Sequence, residues 1–183
     1  MIHVDTRLVA IDLRVGVGVV ATRKIAAGTI LWARDGLDMR IPDALLQKMP
    51  DLVVRQFTRH AYLDEHDEWT LCWDIARFVN HHCDCNSLVT PWGVEIACRE
   101  IAAGEEISND YALFRLSADE EFDCCCGSPL CRGRIDSKDV TPHAQQHGVK
   151  LAVALARVKE VPQPLWPLLS EHQKQQLDCL PVT

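Results

Sequence analysis

Ten residues between Arg77 and Asn86, Arg-Phe-Val-Asn-His-His-Cys-Asp-Cys-Asn, carry two Asn, two adjacent His, two Cys and an Asp. An apolar lead-in runs through Trp73, Ile75, Phe78 and Val79. Polar groups fed from buried sequence need hydrogen-bond partners or a ligand, because each unpaired one costs roughly 1–3 kcal/mol. Further on, Cys124, Cys126 and Cys131 bring three thiols within reach of one metal ion. A tetrahedral structural zinc needs a fourth ligand. Cys179 is too far along the chain to join the same loop, and Cys83, Cys85, Cys125 and His82 are candidates. Tyr111 closes the run Gly-Glu-Glu-Ile-Ser-Asn-Asp-Tyr that begins at Gly104. Its hydroxyl is either tethered in a core or free to orient a reacting group. Gly16-Val17-Gly18 lacks the third glycine and the following helix of a dinucleotide loop, so by itself it is a turn or bulge.

The elements that must carry these residues are short. Val4 to Trp32 is rich in β-branched residues and punctuated by Gly16, Gly18 and Gly28, which predicts two or three strands with tight turns. Pro42-Asp43 followed by Ala44, Leu45, Leu46 and Met49 predicts a short helix ended by Pro50, with a second helical turn from Asp51 to Phe57. Thr58 to Trp69, polar and acidic, is expected to be a surface loop with a solvated charge run. Ala21-Thr-Arg-Lys-Ile-Ala-Ala-Gly28 recurs as Ala97-Cys-Arg-Glu-Ile-Ala-Ala-Gly104. Each copy is expected to end a strand in a turn where Gly takes a left-handed conformation. From Ser137 to Thr183 the pattern is helical, with Thr141-Pro142 as cap and first helical residue and breaks at Pro162, Pro164 and Pro167. This tail is expected to pack on the main body or on a second copy as a homodimer.

The 183 residues suit one domain with a small appendage, and 48% hydrophobic with 25% charged is ordinary for a globular core. A net charge of −7 without a basic run argues against a direct nucleic-acid partner and tolerates a basic protein or peptide. Nine cysteines, an odd count, and no signal-peptide pattern predict a reducing, cytoplasmic compartment where clustered Cys hold metal. No apolar run is long enough to cross a bilayer, so no membrane partner is expected.

Together the motifs resemble the SET-domain family of protein lysine methyltransferases, from Leu8 to about Arg134. Arg77–Asn86 resembles the family's Arg-Phe-Ile-Asn-His-Ser-Cys-x-Pro-Asn, and Gly104–Tyr111 its Gly-Glu-Glu-Leu-Thr-x-Asp-Tyr. Cys124-x-Cys126-Gly127 through Cys131-Arg132-Gly133 is similar to its post-SET cysteine tail, and Gly16-x-Gly18 falls in its first motif.

The resemblance implies a mainly β fold with short helices: small curled β-sheets and a C-terminal pseudoknot, followed here by a helical tail. It divides the chain into a SET domain at 1–118, a post-SET zinc-binding segment at 119–136 and a helical extension at 137–183. It implies S-adenosyl-L-methionine as cofactor, held by Gly16, Val17, Gly18, Arg77, Asn80 and His81. Tyr111 matches the tyrosine at the mouth of a lysine channel. Tyr62, the only other tyrosine, is the candidate for a second hydroxyl. One structural zinc is implied on Cys83, Cys124, Cys126 and Cys131. The implied partner is a basic protein or peptide carrying the target lysine, in the nucleus if the host is eukaryotic.

Three positions depart from the family pattern. His82 replaces Ser, Cys85 replaces Pro, and Asn109 stands where many members carry an aromatic that helps set how many methyls fit. These departures keep open a catalytically silent binding module. The extra thiols keep open a zinc–thiolate redox sensor.

Overall fold

The computed structural model describes residues 1–64, 66–114, 116, 120–136 and 140–179. In chain order the strands are β1 (Thr6–Ala10), β2 (Val17–Ala21), β3 (Ile30–Ala33) and β4 (Met39–Pro42), then helices α1 (Asp43–Leu46) and α2 (Asp51–Thr58). Next come β5 (Ala61–Leu63), β6 (Glu68–Leu71), β7 (Asn80–His81), β8 (Ser87–Val89), β9 (Val94–Ala97) and β10 (Ser108–Asn109). The chain continues through β11 (Phe122–Asp123), β12 (Arg134–Ile135), α3 (Val140–Ala156) and α4 (Glu171–Asp178). The strands form small sheets: β1-β2, β3-β9-β8, β4-β6-β5, β11-β12 and a parallel pair of β7 with β10. Mainly β with short helices and a helical C-terminal part is therefore the observed class.

The internal echo has a structural meaning beyond two similar turns. Ile25 and Ile101 exchange backbone hydrogen bonds, each 2.9 Å long. Gly28 N–H donates to Ala97 O and Gly104 N–H to Ala21 O, both at 2.8 Å. The two copies thus pair with each other about a local two-fold. Gly28 and Gly104 sit at φ 90° and 83°, where a side chain would be strained.

The acidic stretch after Thr58 is not a surface loop. Ala61–Leu63 and Glu68–Leu71 are strands, and Asp64 between them is buried. Its carboxylate accepts from the backbone N–H of His66 (2.8 Å) and Glu68 (3.0 Å), and faces Arg34 at 3.6 Å and Arg40 at 3.5 Å. Those arginines lie outside the stretch, so local charge density misrepresents how solvated Asp64 is.

The C-terminal extension lies on the body. Ala154, Leu155, Val158, Leu165, Leu169 and Leu177 are buried against Ile30, Ala33, Val94 and Ile96 of the central sheet. Each fully buried aliphatic contributes on the order of 1.5–3 kcal/mol. Gln163 stitches the loop to β3, donating to Gly28 O and accepting from Ile30 N–H, both at 2.8 Å. The described part of α3 begins at Val140, so Thr141, the expected cap, lies inside the helix. Ser170 and Gln173 form a capping box at α4 that the sequence reading passed over. The expected boundaries after residue 118 and at residue 137, and the chain's last residues 180–183, lie outside the described residues. Among the described residues no helix is long and apolar enough to cross a membrane.

Candidate functional site

Parallel pairing of Asn80 with Ser108 and His81 with Asn109 sets the two motif segments side by side. Asn80 Nδ2 donates to Val17 O at 2.9 Å and to Glu106 Oε1 at 2.8 Å, which ties the first glycine turn to both. A Cβ on Gly18 would collide with the Glu106 carboxylate and sit 2.8 Å from Asn80 Nδ2, so the close approach demands glycine there. Gly16, at φ 87°, faces open space, and Val17 is exposed. Gly16, Val17, Gly18 and Asn80 therefore make one ledge with polar atoms at a solvent-open edge. Asn86 staples the crossing from below: Nδ2 donates to Glu106 O (2.8 Å) and Oδ1 accepts from Ser108 N–H (2.9 Å). Arg77 is exposed, its guanidinium 5.1 Å from the Phe78 ring centroid, apart from the contacts of Asn80.

Tyr111 opens a 3₁₀ turn (Tyr111–Leu113) capped by Asp110, which accepts from Ala112 N–H at 3.0 Å. Its hydroxyl donates to Val79 O at 2.7 Å, so it is tethered to the residue that precedes Asn80. The ring lies 6.0 Å from both Phe114 and Phe122 and 5.7 Å from His81. Tyr62 approaches Phe114 from another side at 5.4 Å, so both tyrosines belong to one aromatic group. Burial first, then the carboxylates of Glu95 and Glu106, push the Tyr111 hydroxyl up to about 12, which keeps it protonated. His81 is neutral: burial pushes it down to about 4, against the pull of Asp110. Its Nδ1 accepts from Tyr111 N–H at 3.2 Å, which leaves the ring proton on Nε2, facing Cys83 Sγ at 3.3 Å.

Asp110 is a hub that sequence reasoning missed. It is fully buried and takes a two-pronged contact from Arg132 (2.9 and 2.5 Å), with His147 of α3 at 2.7 Å. Nearby, Lys150 of α3 reaches Asp84 at 3.2 Å. Though burial opposes ionisation, the His147 and Arg132 contacts hold the Asp110 carboxyl well below the usual carboxylate range. Its stabilising contribution is present above that usual range and is lost as pH falls through the depressed value. Arg132→Ala should lower the unfolding free energy by about 3–5 kcal/mol at neutral pH, because Asp110 keeps its burial and loses its main cation. Urea unfolding of both proteins checks this.

The sulfur atoms of Cys83, Cys124, Cys126 and Cys131 all lie within 4.8 Å of one another, with Cys83 and Cys124 at 3.7 Å. Zinc–sulfur bonds of about 2.3 Å in a tetrahedron separate sulfurs by about 3.8 Å, so the donor set fits that ion. Arg132 N–H points at Cys83 Sγ from 3.4 Å, a donor suited to a thiolate. The rival ligands lie apart. Cys85 is buried and its carbonyl accepts from Cys98 Sγ at 3.5 Å, Cys125 is exposed, and His82 Nδ1 accepts from Asp84 N–H at 3.1 Å.

This chain matches the SET domain over residues 16–112, and so belongs to the SET-domain family. It is similar to an H3 lysine-36 specific histone-lysine N-methyltransferase of Saccharomyces cerevisiae, 32% identical over 155 residues, covering 76% of this chain and 20% of that protein. A counterpart so named in Yarrowia lipolytica is 30% identical over 152 residues, 76% of this chain and 19% of that protein. An H3 lysine-4 specific histone-lysine N-methyltransferase of Eremothecium gossypii is 43% identical over 70 residues, 34% of this chain and 7% of that protein. The chain thus spans at most 20% of the length of these relatives.

Proposed function

We propose that this chain transfers a methyl group from S-adenosylmethionine to the side-chain amine of a lysine in a protein. The observation that carries the reading is the β7–β10 crossing. There a SET-family chain gathers the Gly16–Gly18 turn, Asn80 and the tethered Tyr111 within one network of hydrogen bonds. The turn leaves room at Gly16 and presents polar atoms beside an exposed apolar side chain, which fits a small polar nucleoside. Gly16, Val17, Gly18, Asn80 and His81 would hold the cofactor, with exposed Arg77 at its margin. S-adenosylmethionine supplies an electrophilic methyl when bound.

The chain's own residues supply alignment and a dry setting. Tyr111 is a protonated hydroxyl whose oxygen keeps lone pairs free to orient an amine or favour positive charge beside it. Tyr62 adds a second hydroxyl from the other side of Phe114. Asn109, small and polar where many members of the family carry an aromatic, would help set how many methyls the amine accepts.

The four sulfurs of Cys83, Cys124, Cys126 and Cys131 would hold one structural zinc, which pins the segment after residue 119 onto the Asn80-His81 strand. Residues 1–118 then form the catalytic body, 119–136 the clamp and 137–183 the extension. The substrate is a basic protein segment, by charge complementarity with this acidic chain and by the histone H3 specificity in the relatives' names. In a eukaryotic host such a substrate would be met in the nucleus.

Titration calorimetry with S-adenosylmethionine separates this reading from a silent binding module: saturable binding is expected, and no heat in a folded protein contradicts it. Asn80→Ala should weaken that binding roughly tenfold, the equivalent of losing about 1.4 kcal/mol of hydrogen bonding. An unchanged dissociation constant in the folded variant removes the cofactor from this ledge.

A further inference from the structure

Strand β9 reads Val-Glu-Ile-Ala and is buried at all four positions. A carboxylate in the middle of such a strand is expensive unless a cation or full hydrogen bonding compensates it. Glu95 is 8% exposed, and among the described residues no Lys, Arg or His pairs with it. Its polar neighbours are the neutral side chains of Ser87 and Asn109.

Ser87 Oγ contacts both the Glu95 carboxylate and Ser108 O, the latter at 2.9 Å. A hydroxyl has one proton to give and here faces two acceptors, so the chain is complete only when Glu95 itself carries a proton. Burial raises the Glu95 carboxyl above its ordinary range, against the hydrogen bonds from Ser87 and Asn109. The titratable groups around it are Tyr111, from the turn after β10, and Cys72, from the end of β6, both pushed up in part by its charge. From β3, Trp32 stands opposite it on the same sheet face. Asp110 is engaged by Arg132 and His147. Glu95 thus lies against Asn109, two residues before Tyr111, with a place ready for one proton and, among the described residues, no cation to neutralise it once ionised.

We propose that Glu95 receives the ammonium of the substrate lysine beside Tyr111 and takes its proton, acting as the general base of the site. The inference rests on the methyl-transfer reading above. One N–H bond of the ammonium breaks and an O–H bond forms on the Glu95 carboxyl, while the electron pair stays on nitrogen as the nucleophile. In a dry pocket this replaces two opposed charges by two neutral groups. The proton leaves Glu95 for solvent after the methylated product departs. Asn109 and Ser87 position the carboxylate.

The test uses Glu95→Gln, which keeps size and can still accept from Ser87 and Asn109. Near neutral pH its methyl transfer should fall by about 10²–10⁴-fold, the usual worth of a general base. The rate should climb back as pH approaches the lysine's own pKa of about 10.4, with cofactor affinity unchanged. A parental rate and profile, or an equal loss at every pH, overturns the assignment. A second arm needs no protein substrate and no variant fold. In the wild-type chain carrying ¹³C-carboxyl glutamate, n-butylammonium should displace the Glu95 resonance, and an indifferent resonance overturns the proposal. A wild type that transfers no methyl but responds to n-butylammonium removes the methyl-transfer reading and keeps the ammonium pocket. A methylating wild type with an indifferent Glu95 does the reverse.

Discussion

Tyr111→Phe should leave the fold and cofactor affinity intact and cut methyl transfer by about 10²–10³-fold, the usual effect of losing one oriented polar group that acts on the transition state. The ring is held by Phe114, Phe122 and His81, all of which phenylalanine can still contact, so the fold should survive with a loss of about 0.5–1.5 kcal/mol for the missing hydrogen bond to Val79 O. What disappears is the oxygen tethered to Val79 O at 2.7 Å, the group proposed above to act on the amine. The loss should appear in kcat with KM and cofactor affinity near parental values, since an interaction used chiefly in the transition state is removed. Steady-state kinetics beside thermal unfolding checks both halves. A variant as fast as the parent makes Tyr111 a core tyrosine and nothing more.

Removing the metal should have an effect as large, by a different route. With zinc bound, content should be close to one ion per chain with a sulfur-only first shell at about 2.3 Å. A chelator, or Cys83→Ser, should abolish transfer and release the post-SET segment, while the body, whose core lies in β2, β3 and β9, survives. The physical reason is the position of Cys83, two residues after His81. It brings the Asn80-His81 strand and the Cys124–Cys131 loop to one set of sulfurs. Cys72→Ser and Cys98→Ser should leave the metal content unchanged, because neither sulfur belongs to that set. Elemental analysis with circular dichroism separates loss of metal from loss of fold. A Cys83→Ser protein that keeps its zinc and its activity contradicts the clamp.

What was legible in the sequence was whatever one stretch of chain could encode by itself. Asn80-His81, Gly104–Tyr111 and the three late cysteines are strings, and the three strands between Val4 and Trp32 follow from β-branched runs between glycines. The family resemblance singled out Cys83 against Cys85, Cys125 and His82, and the structure groups Cys83 with the late cysteines. Illegible features depend on partners from separate segments. Asp110 was visible as a motif letter, but its burial under Arg132 and His147 joins three parts of the chain that no local pattern relates. The stretch around Asp64 looked solvated because its charges are counted locally, whereas Arg34, just past β3, and Arg40 of β4 meet it. Glu95 was passed over because one acid among Val, Ile and Ala looks like an outward-facing strand residue, and β9 is buried on both faces. The capping box of Ser170 and Gln173 was the one omission with a signal in plain view, a Ser followed three places on by Gln.

The most direct measurement incubates the purified chain with methyl-tritiated S-adenosylmethionine and an extract of its own host, then hydrolyses the labelled protein to amino acids. Label is expected in Nε-methylated lysine, present with the parent chain and nearly absent with Tyr111→Phe. Label confined to another amino acid, or no label above that of the variant, contradicts it.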